Sequence, residues 1–253
     1  STGTTLVSIF ILLVSTNYFM PCKAQLSTNF YDNTCPNALT TIQSSVNAAV
    51  NGPWWTVRLG RRDSNTSNAT QAVSDLPRGN FNLTELIANF ARKGFNEREM
   101  VALSGSHTIG QARCIRFRGR IYNNPLRIDA AFNSSLSAVC PPTPPNGDSN
   151  RQPLDLVTPN TFDNNYFRNL VNSRGLLISD QVLFNGDSAD SIVTEYVDNP
   201  ATFNADFAAA MVKMSEIEVV TGSSGIIRTV CGSPVANGLV MSGSNGQNLH
   251  QAS

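Results

Sequence analysis

The 253-residue chain contains only two histidines, His107 and His250, so catalytic or metal sites that need several imidazoles have nothing to work with. His107 sits in Leu103-Ser104-Gly105-Ser106-His107-Thr108-Ile109-Gly110, beside two glycines and between helical segments. A lone histidine has two readings, a satisfied structural residue or a ligand. Ser104 and Ser106 are close in sequence, but no Gly-x-Ser-x-Gly elbow presents either as a nucleophile, which argues against a hydrolase. Asp155, Thr158, Thr161 and Asp163 gather hard oxygens within nine residues. Calcium takes six to eight such oxygens; the alternative is that Asp163 caps the next helix and Thr158-Pro159 is a turn. Asp180 follows the apolar Leu176-Leu177-Ile178. It either caps a helix or accepts the far N–H of a ligating imidazole.

The elements that must position these residues are mostly helical. Apolar residues recur at helical spacing over 36–50 (Leu39, Ile42, Val46, Val50), 80–93 (Leu83, Leu86, Ile87, Phe90) and 202–217 (Phe203, Phe207, Met211, Met214). The third stripe is expected to face a core rather than a cofactor, and Asn80 or Asn82 is expected to cap the second helix. Shorter helical pieces are predicted at 97–103, 108–122, 163–172 and 188–196. Alternating strands are scarce, so the fold class is mainly α. Turns fall at Asn51-Gly52-Pro53, at Leu76-Pro77-Arg78-Gly79 and in the proline-rich run 141–147. Eighteen basic residues balance eighteen acidic ones, and the charged fraction of 14% is well below the roughly 25% of average chains. Without a Lys/Arg run there is no electrostatic footprint for nucleic acid or an anionic membrane.

Residues 6–14 read LVSIFILLV, too short to span a bilayer, and Cys22-Lys23-Ala24 follows with a cleavable pattern. A signal peptide over 1–24 is predicted, with a mature start at Gln25. Once Cys22 is removed, Cys35, Cys114, Cys140 and Cys231 remain, an even number suited to an oxidising compartment, and three pairings stay open. Four sequons, at Asn65, Asn68, Asn82 and Asn133, fit the same address. The expected location is secreted, in the extracellular space or cell wall, or in the vacuole. A Gly-, Ser- and Asn-rich tail at 236–253 reads as disordered.

Taken together, several strings resemble the secretory plant haem peroxidases known as class III. They are Gln25-Leu26-Ser27 with Phe30-Tyr31-Asp32-Asn33-Thr34-Cys35-Pro36, Gly60-Arg61-Arg62-Asp63, and Val101 through Gly110. To these add Thr158-Pro159-Asn160-Thr161-Phe162-Asp163-Asn164, Ser179-Asp180-Gln181, and Ala209-Ala210-Met211-Val212-Lys213-Met214. The resemblance implies a helical haem peroxidase domain over 25–235 that oxidises small phenolic donors with hydrogen peroxide and acts as a monomer. By resemblance His107 is the axial ligand of haem b iron, and Asp180 accepts its other N–H. Calcium is implied at Thr108, Asp155, Thr158, Thr161 through its carbonyl, and Asp163. Pro77 corresponds to a proline at the donor entrance, and Cys114 pairs with Cys140.

The resemblance also has departures. The helix ending at Val50 runs directly into Asn51-Gly52-Pro53-Trp54-Trp55, where the family has several dozen more residues. An internal deletion at 50/51 is therefore expected to remove part of the distal half of the fold. The family's distal His and Arg, which move a proton and stabilise charge during O–O cleavage, have no counterpart here. Cys35 and Cys231 lose their family partners, and Arg116 stands where an aromatic residue often lines the donor channel.

Overall fold

The computed structural model describes residues 26–50, 52–66, 68–123 and 126–227. The predicted leader at 1–24, Cys231, His250 and the tail at 236–253 lie outside the described residues. In chain order the elements are α1 (Ala38–Val50), α2 (Ala69–Asp75), α3 (Leu83–Ala91) and α4 (Glu97–Ser104), then a 3₁₀ turn (Gly105–Thr108). There follow β1 (Gln111–Arg113), α5 (Cys114–Tyr122), α6 (Ala130–Val139), β2 (Arg151–Pro153), α7 (Asn165–Val171), α8 (Ile178–Gln181), α9 (Asp190–Asp198) and α10 (Pro200–Ser215). The class is mainly α, as the periodicity predicts.

Local chemistry explains the starts of these helices. Asn82 accepts from Glu85 N while Glu85 accepts from Asn82 N, and Asn96 and Glu99 repeat the same capping box at α4. Asn199 caps α10 and Pro200 occupies its first turn, where a missing N–H is harmless. The predicted helix over 108–122 does not start where expected. Gly110 has φ +100°, a left-handed conformation that ends the turn, and the chain then forms β1, paired antiparallel with β2. Only from Cys114 does it become α5. A one-face periodicity cannot register a single residue that reverses the backbone.

The main core is aromatic. Phe167, Tyr196 and Phe203 from α7, α9 and α10 are fully buried, with Phe167 lying 4.9 Å from Phe203 and 5.1 Å from Tyr196 between ring centroids. Phe162 stacks on Phe203 at 5.3 Å. Arg98 of α4 reaches across to Glu195 and Asp206, joining α4, α9 and α10 at the rim. A second cluster, with Phe117, Phe132, Leu136 and Leu176, holds α5 against α6. It contains the Cys114–Cys140 disulfide, with Cα atoms 5.4 Å apart and a sequence separation of 26. Closing a loop of that size contributes about 3–4 kcal/mol.

One stripe expectation is corrected, and a second stripe proves to be uncovered. Phe203 and Phe207 of α10 are buried, but Met214 is 39% exposed because it lies in the last turn, beyond the helices that cover the middle of α10. The stripe of α1 does not reach the core at all: no residue of α1 is buried, and Ile42 and Val46 are 61% and 55% exposed. The segment carrying Trp54 and Trp55 runs alongside it and leaves an apolar groove of about 150 Å³. Amphipathic spacing predicts which face is apolar, not whether anything packs on it.

Gly105 fixes how closely the 3₁₀ turn approaches the aromatic core. A Cβ there would lie 2.5 Å from Phe203 Cε2 and 2.8 Å from Phe167 Cζ. Gly105→Ala is expected to cost about 1–3 kcal/mol through overpacking, and Phe203→Ala about 3–5 kcal/mol through a cavity. Urea unfolding followed by circular dichroism measures both, and a neutral Gly105→Ala variant would contradict this packing.

Candidate active site

His107 is carried on the 3₁₀ turn that continues α4, and its imidazole is brought to the start of α8. There His107 Nδ1 lies 2.7 Å from Asp180 Oδ1. Asp180 is 1% exposed and is held from two further sides. The Tyr166 hydroxyl donates to Oδ1 at 3.1 Å, and the Leu177 backbone N–H donates to Oδ2 at 2.8 Å. The N-cap of α8 is Leu177 rather than Asp180; from the third position one Asp180 oxygen accepts from the Leu177 N–H and closes the first turn, while the other faces the histidine. With Nδ1 engaged by a carboxylate, Nε2 is the nitrogen left for an outside ligand.

The electrostatics follow from burial around one carboxylate. Burial by itself lowers the pKa of His107, but the charge of Asp180 and the hydrogen bond to it prevail, and the net direction is upward. The Tyr166 phenol is pushed well above its usual value by burial and by Asp180, so it stays a donor. Arg120 is 1% exposed, its guanidinium donates to the carbonyls of Leu126 and Arg127, and burial lowers its pKa to about 10 against an opposing pull from Asp180. A cation buried within reach of Asp180 supports the ionised carboxylate.

His107 and Leu177 line two recesses. One, of about 270 Å³, is bounded by Pro77, Leu86, Phe90 and Ser179; the other, of about 220 Å³, lies on the side of β1 and β2. Pro77 thus lines the same recess as the histidine.

The adjoining residue Thr108 is fully buried and faces the oxygen cluster. Its Oγ1 lies 3.2 Å from Asp155 Oδ2, 3.3 Å from Asp163 Oδ1 and 3.5 Å from the Thr161 carbonyl oxygen. Thr158 Oγ1 lies 2.7 Å from Asp163 Oδ2 and 3.3 Å from Asp155 Oδ2. All five residues named from the sequence converge. One hydroxyl proton cannot serve three acceptors at once, and the set of carboxylate, hydroxyl and carbonyl oxygens is of the kind a hard cation takes. Asp163 also accepts from Asn165 N at 2.8 Å and so supports the start of α7, although Asn164 is its N-cap.

Sequence reasoning missed Tyr166, Asn169 and Arg120. Asn169 Nδ2 donates to Asp155 Oδ1 at 2.8 Å. A tyrosine or asparagine on an amphipathic helix gives no signal until its neighbours in space are known. Among the sequons, Asn68 and Asn82 cap α2 and α3, Asn65 is exposed, and Asn133 lies half-buried in α6. Cys35 is exposed and has no disulfide partner among the described residues.

Asp180→Ala removes the acceptor from three donors at once. It is expected to lower stability by at least about 1–3 kcal/mol, because the Leu177 N–H and Tyr166 hydroxyl are left buried and unpaired. Chemical denaturation of the variant beside Tyr166→Phe measures this; equal stability of wild type and Asp180→Ala would show that the carboxylate does not hold the site together.

Comparison with known proteins gives this geometry a family. A family model described as peroxidase matches residues 37–199. A basic peroxidase of Zinnia elegans is 55% identical over 317 aligned residues, covering 92% of this chain and 98% of the relative. A lignin-forming anionic peroxidase of Nicotiana sylvestris is 56% identical over 199 residues, 79% of this chain and 61% of the relative. Peroxidase 2 of Oryza sativa subsp. japonica is 40% identical over 302 residues, 87% of this chain and 96% of the relative. The Zinnia alignment is longer than the 253-residue chain itself, so at least 64 of its positions (317 against 253) face no residue here. No helix among the described residues is long and apolar enough to cross a membrane. The buried carboxylate–histidine pair thus belongs to an oxidoreductase of the peroxidase family, and the chain is a member of the class III plant haem peroxidases.

Proposed function

We propose that this chain is a secreted peroxidase that holds haem b through His107 Nε2 and uses hydrogen peroxide to oxidise small phenolic donors. The observation that carries the reading is the His107–Asp180 pair at 2.7 Å, in which the aspartate is buried and the half-buried imidazole faces a recess partly walled by Leu86, Phe90 and Leu177. When bound, the haem supplies the redox chemistry that reduces peroxide at the expense of the donor. Asp180 keeps the imidazole in one tautomer and one orientation and makes it a stronger electron donor. Tyr166 and Leu177 N hold Asp180 against rotation. Leu86, Phe90 and Leu177 offer the apolar surface that a planar macrocycle needs, and Pro77 borders the side from which a donor enters. The Nicotiana relative is named for lignin formation. Cell-wall phenols are the corresponding donor class for this chain, and the leader at 1–24 would take the chain there.

Calcium at Thr108, Asp155, Thr158, Thr161 and Asp163 completes the reading. The cluster has only two carboxylates, so hydroxyls and the Thr161 carbonyl must make up the ligand count. Thr108 adjoins His107 in sequence, which ties the cation to the histidine's turn. The reading also holds that the chain is shortened at 50/51 and lacks the family's distal His and Arg there; the Zinnia alignment, longer than this chain, is compatible with such a gap.

Three outcomes test the reading. Haem added to the purified protein is expected to give a Soret band that His107→Ala abolishes; a band that survives the substitution would remove His107 as the ligand. Chelation with EGTA is expected to lower the thermal midpoint, and added calcium to restore it; a midpoint indifferent to both would sink the calcium site. Because a positioned acid/base contributes about 10²- to 10⁴-fold, peroxide turnover is expected to fall below that of a full-length relative by about that factor. Stopped-flow rates for the two proteins side by side decide this, and equal rates would overturn the assignment of the missing groups.

A further inference from the structure

One flank of the molecule is apolar and uncovered, yet anchored to the core. The stripe of α1 at Leu39, Ile42, Val46 and Ala49 has the alternating three- and four-residue spacing of a helix that packs on another helix. No residue of α1 is buried, and Ile42 and Val46 stand exposed beside an exposed Trp54. The anchors lie at the end of α1 and just past it. The Phe162 N–H donates to the Val50 carbonyl at 2.9 Å, and Trp55 meets Phe207 edge-on at 6.0 Å between ring centroids. Between α1 and the Trp54–Trp55 segment lies the groove of about 150 Å³, with Ile42, Val46, Pro53 and Val57 in its walls. Soluble chains rarely leave a contiguous apolar surface in water unless something covers it.

The chemistry of this surface points to what covers it. Residues 37–57 contain no Asp, Glu, Lys or Arg, although charged residues make up 14% of the chain. The polar side of α1 consists of Thr, Gln, Ser and Asn, so it lacks the cations with which an amphipathic helix lies on a membrane. Interfaces between different proteins use opposed charges to steer encounter and to exclude wrong partners, and this surface has none to offer. A two-fold axis makes the opposite demand: it sets each group near its own copy, so any charge close to the axis meets its like. An uncharged stripe beside an apolar groove satisfies that demand. We propose that two copies of the chain pair through this flank, the α1 stripe of each lying in the groove of the other. The resemblance to class III implies a monomer, so the pairing belongs to this chain's uncovered flank, and it does not rest on the reading of His107. Thirteen residues make α1 about 20 Å long. With the adjoining segment it offers a face near the lower limit of specific interfaces, about 1,200 Å² in total, so the association is expected to be weak, with a Kd of about 1–100 μM.

Sedimentation velocity of the purified protein across that concentration range is expected to show monomer passing into dimer. Val46→Glu places a charge at an exposed position and sets it against its own copy, so it is expected to weaken the dimer about tenfold or more with an unchanged far-UV circular dichroism spectrum. Mixing Val46→Glu with Val46→Lys is expected to restore the dimer, which only a face paired with its own copy can do, and which a misfolded variant cannot do. Cys35 is exposed just ahead of α1, and Cys35→Ser is expected to dimerise like the parent. A dimer lost in Cys35→Ser or on adding a reductant is a disulfide dimer and would overturn the proposal. So would a chain that stays monomeric throughout, a dimer indifferent to Val46→Glu, or a Glu/Lys mixture that remains monomeric. The Soret band after adding haem is expected to be the same in all these variants, which keeps the outcome separate from the test of His107.

Discussion

One buried carboxylate organises this molecule. Asp180 accepts from the His107 ring, the Tyr166 hydroxyl and the Leu177 backbone, so the 3₁₀ turn after α4, the helix α7 and the start of α8 meet at its two oxygens. An ionised carboxylate at 1% exposure is costly unless every lone pair is used and a cation is near. Arg120 contributes a cation whose charge is felt with that of Asp180, and two backbone carbonyls accept from its buried guanidinium. The histidine's direction is therefore a consequence of satisfying the aspartate.

The aromatic core serves the same end by holding the turn that bears His107. Gly105 lets the backbone lie against Phe167 and Phe203 at a separation no side chain would allow. On the other side of the turn, Thr108 enters the oxygen cluster with Asp155 and Asp163. Three consecutive features, a close backbone approach, an imidazole and a buried hydroxyl, thus bind a single turn to the hydrophobic core, to the carboxylate and to the cation cluster. Displacing any of them moves the histidine, so the packing of the core, the hydrogen bond to Asp180 and the oxygen cluster are coupled through this turn.

The opposite flank has no such closure. The stripe of α1 faces outward, and Trp54 is 66% exposed beside it. Apolar area left in water forgoes about 25 cal/mol per Å² of stabilisation, so this flank contributes little to holding α1 in place. The alignment with the Zinnia relative is longer than the chain itself, so the relative carries sequence that this chain does not match. The proximal constellation is complete within the described residues, from His107 and Asp180 to the oxygen cluster.

Much of this was legible in the residues. The helical class, the cap at Asn82, and the candidate residues His107, Thr108, Asp155, Thr158, Thr161, Asp163 and Asp180 follow from spacing, turn chemistry and motif resemblance, which are local properties of the chain. Sequence could not choose between a capping and a hydrogen-bond-accepting role for Asp180, because a carboxylate has two oxygens and the fold gives each a different task. It could not find Tyr166, Asn169 or Arg120, whose importance lies wholly in what they touch. Nor could it set Arg113 against Arg151, since strand register arises only when Gly110 turns the chain and β1 meets β2. Residue type and spacing determined what chemistry was possible. Tertiary packing decided which atoms are buried together, and burial is what gives a charge or a hydrogen bond its energy.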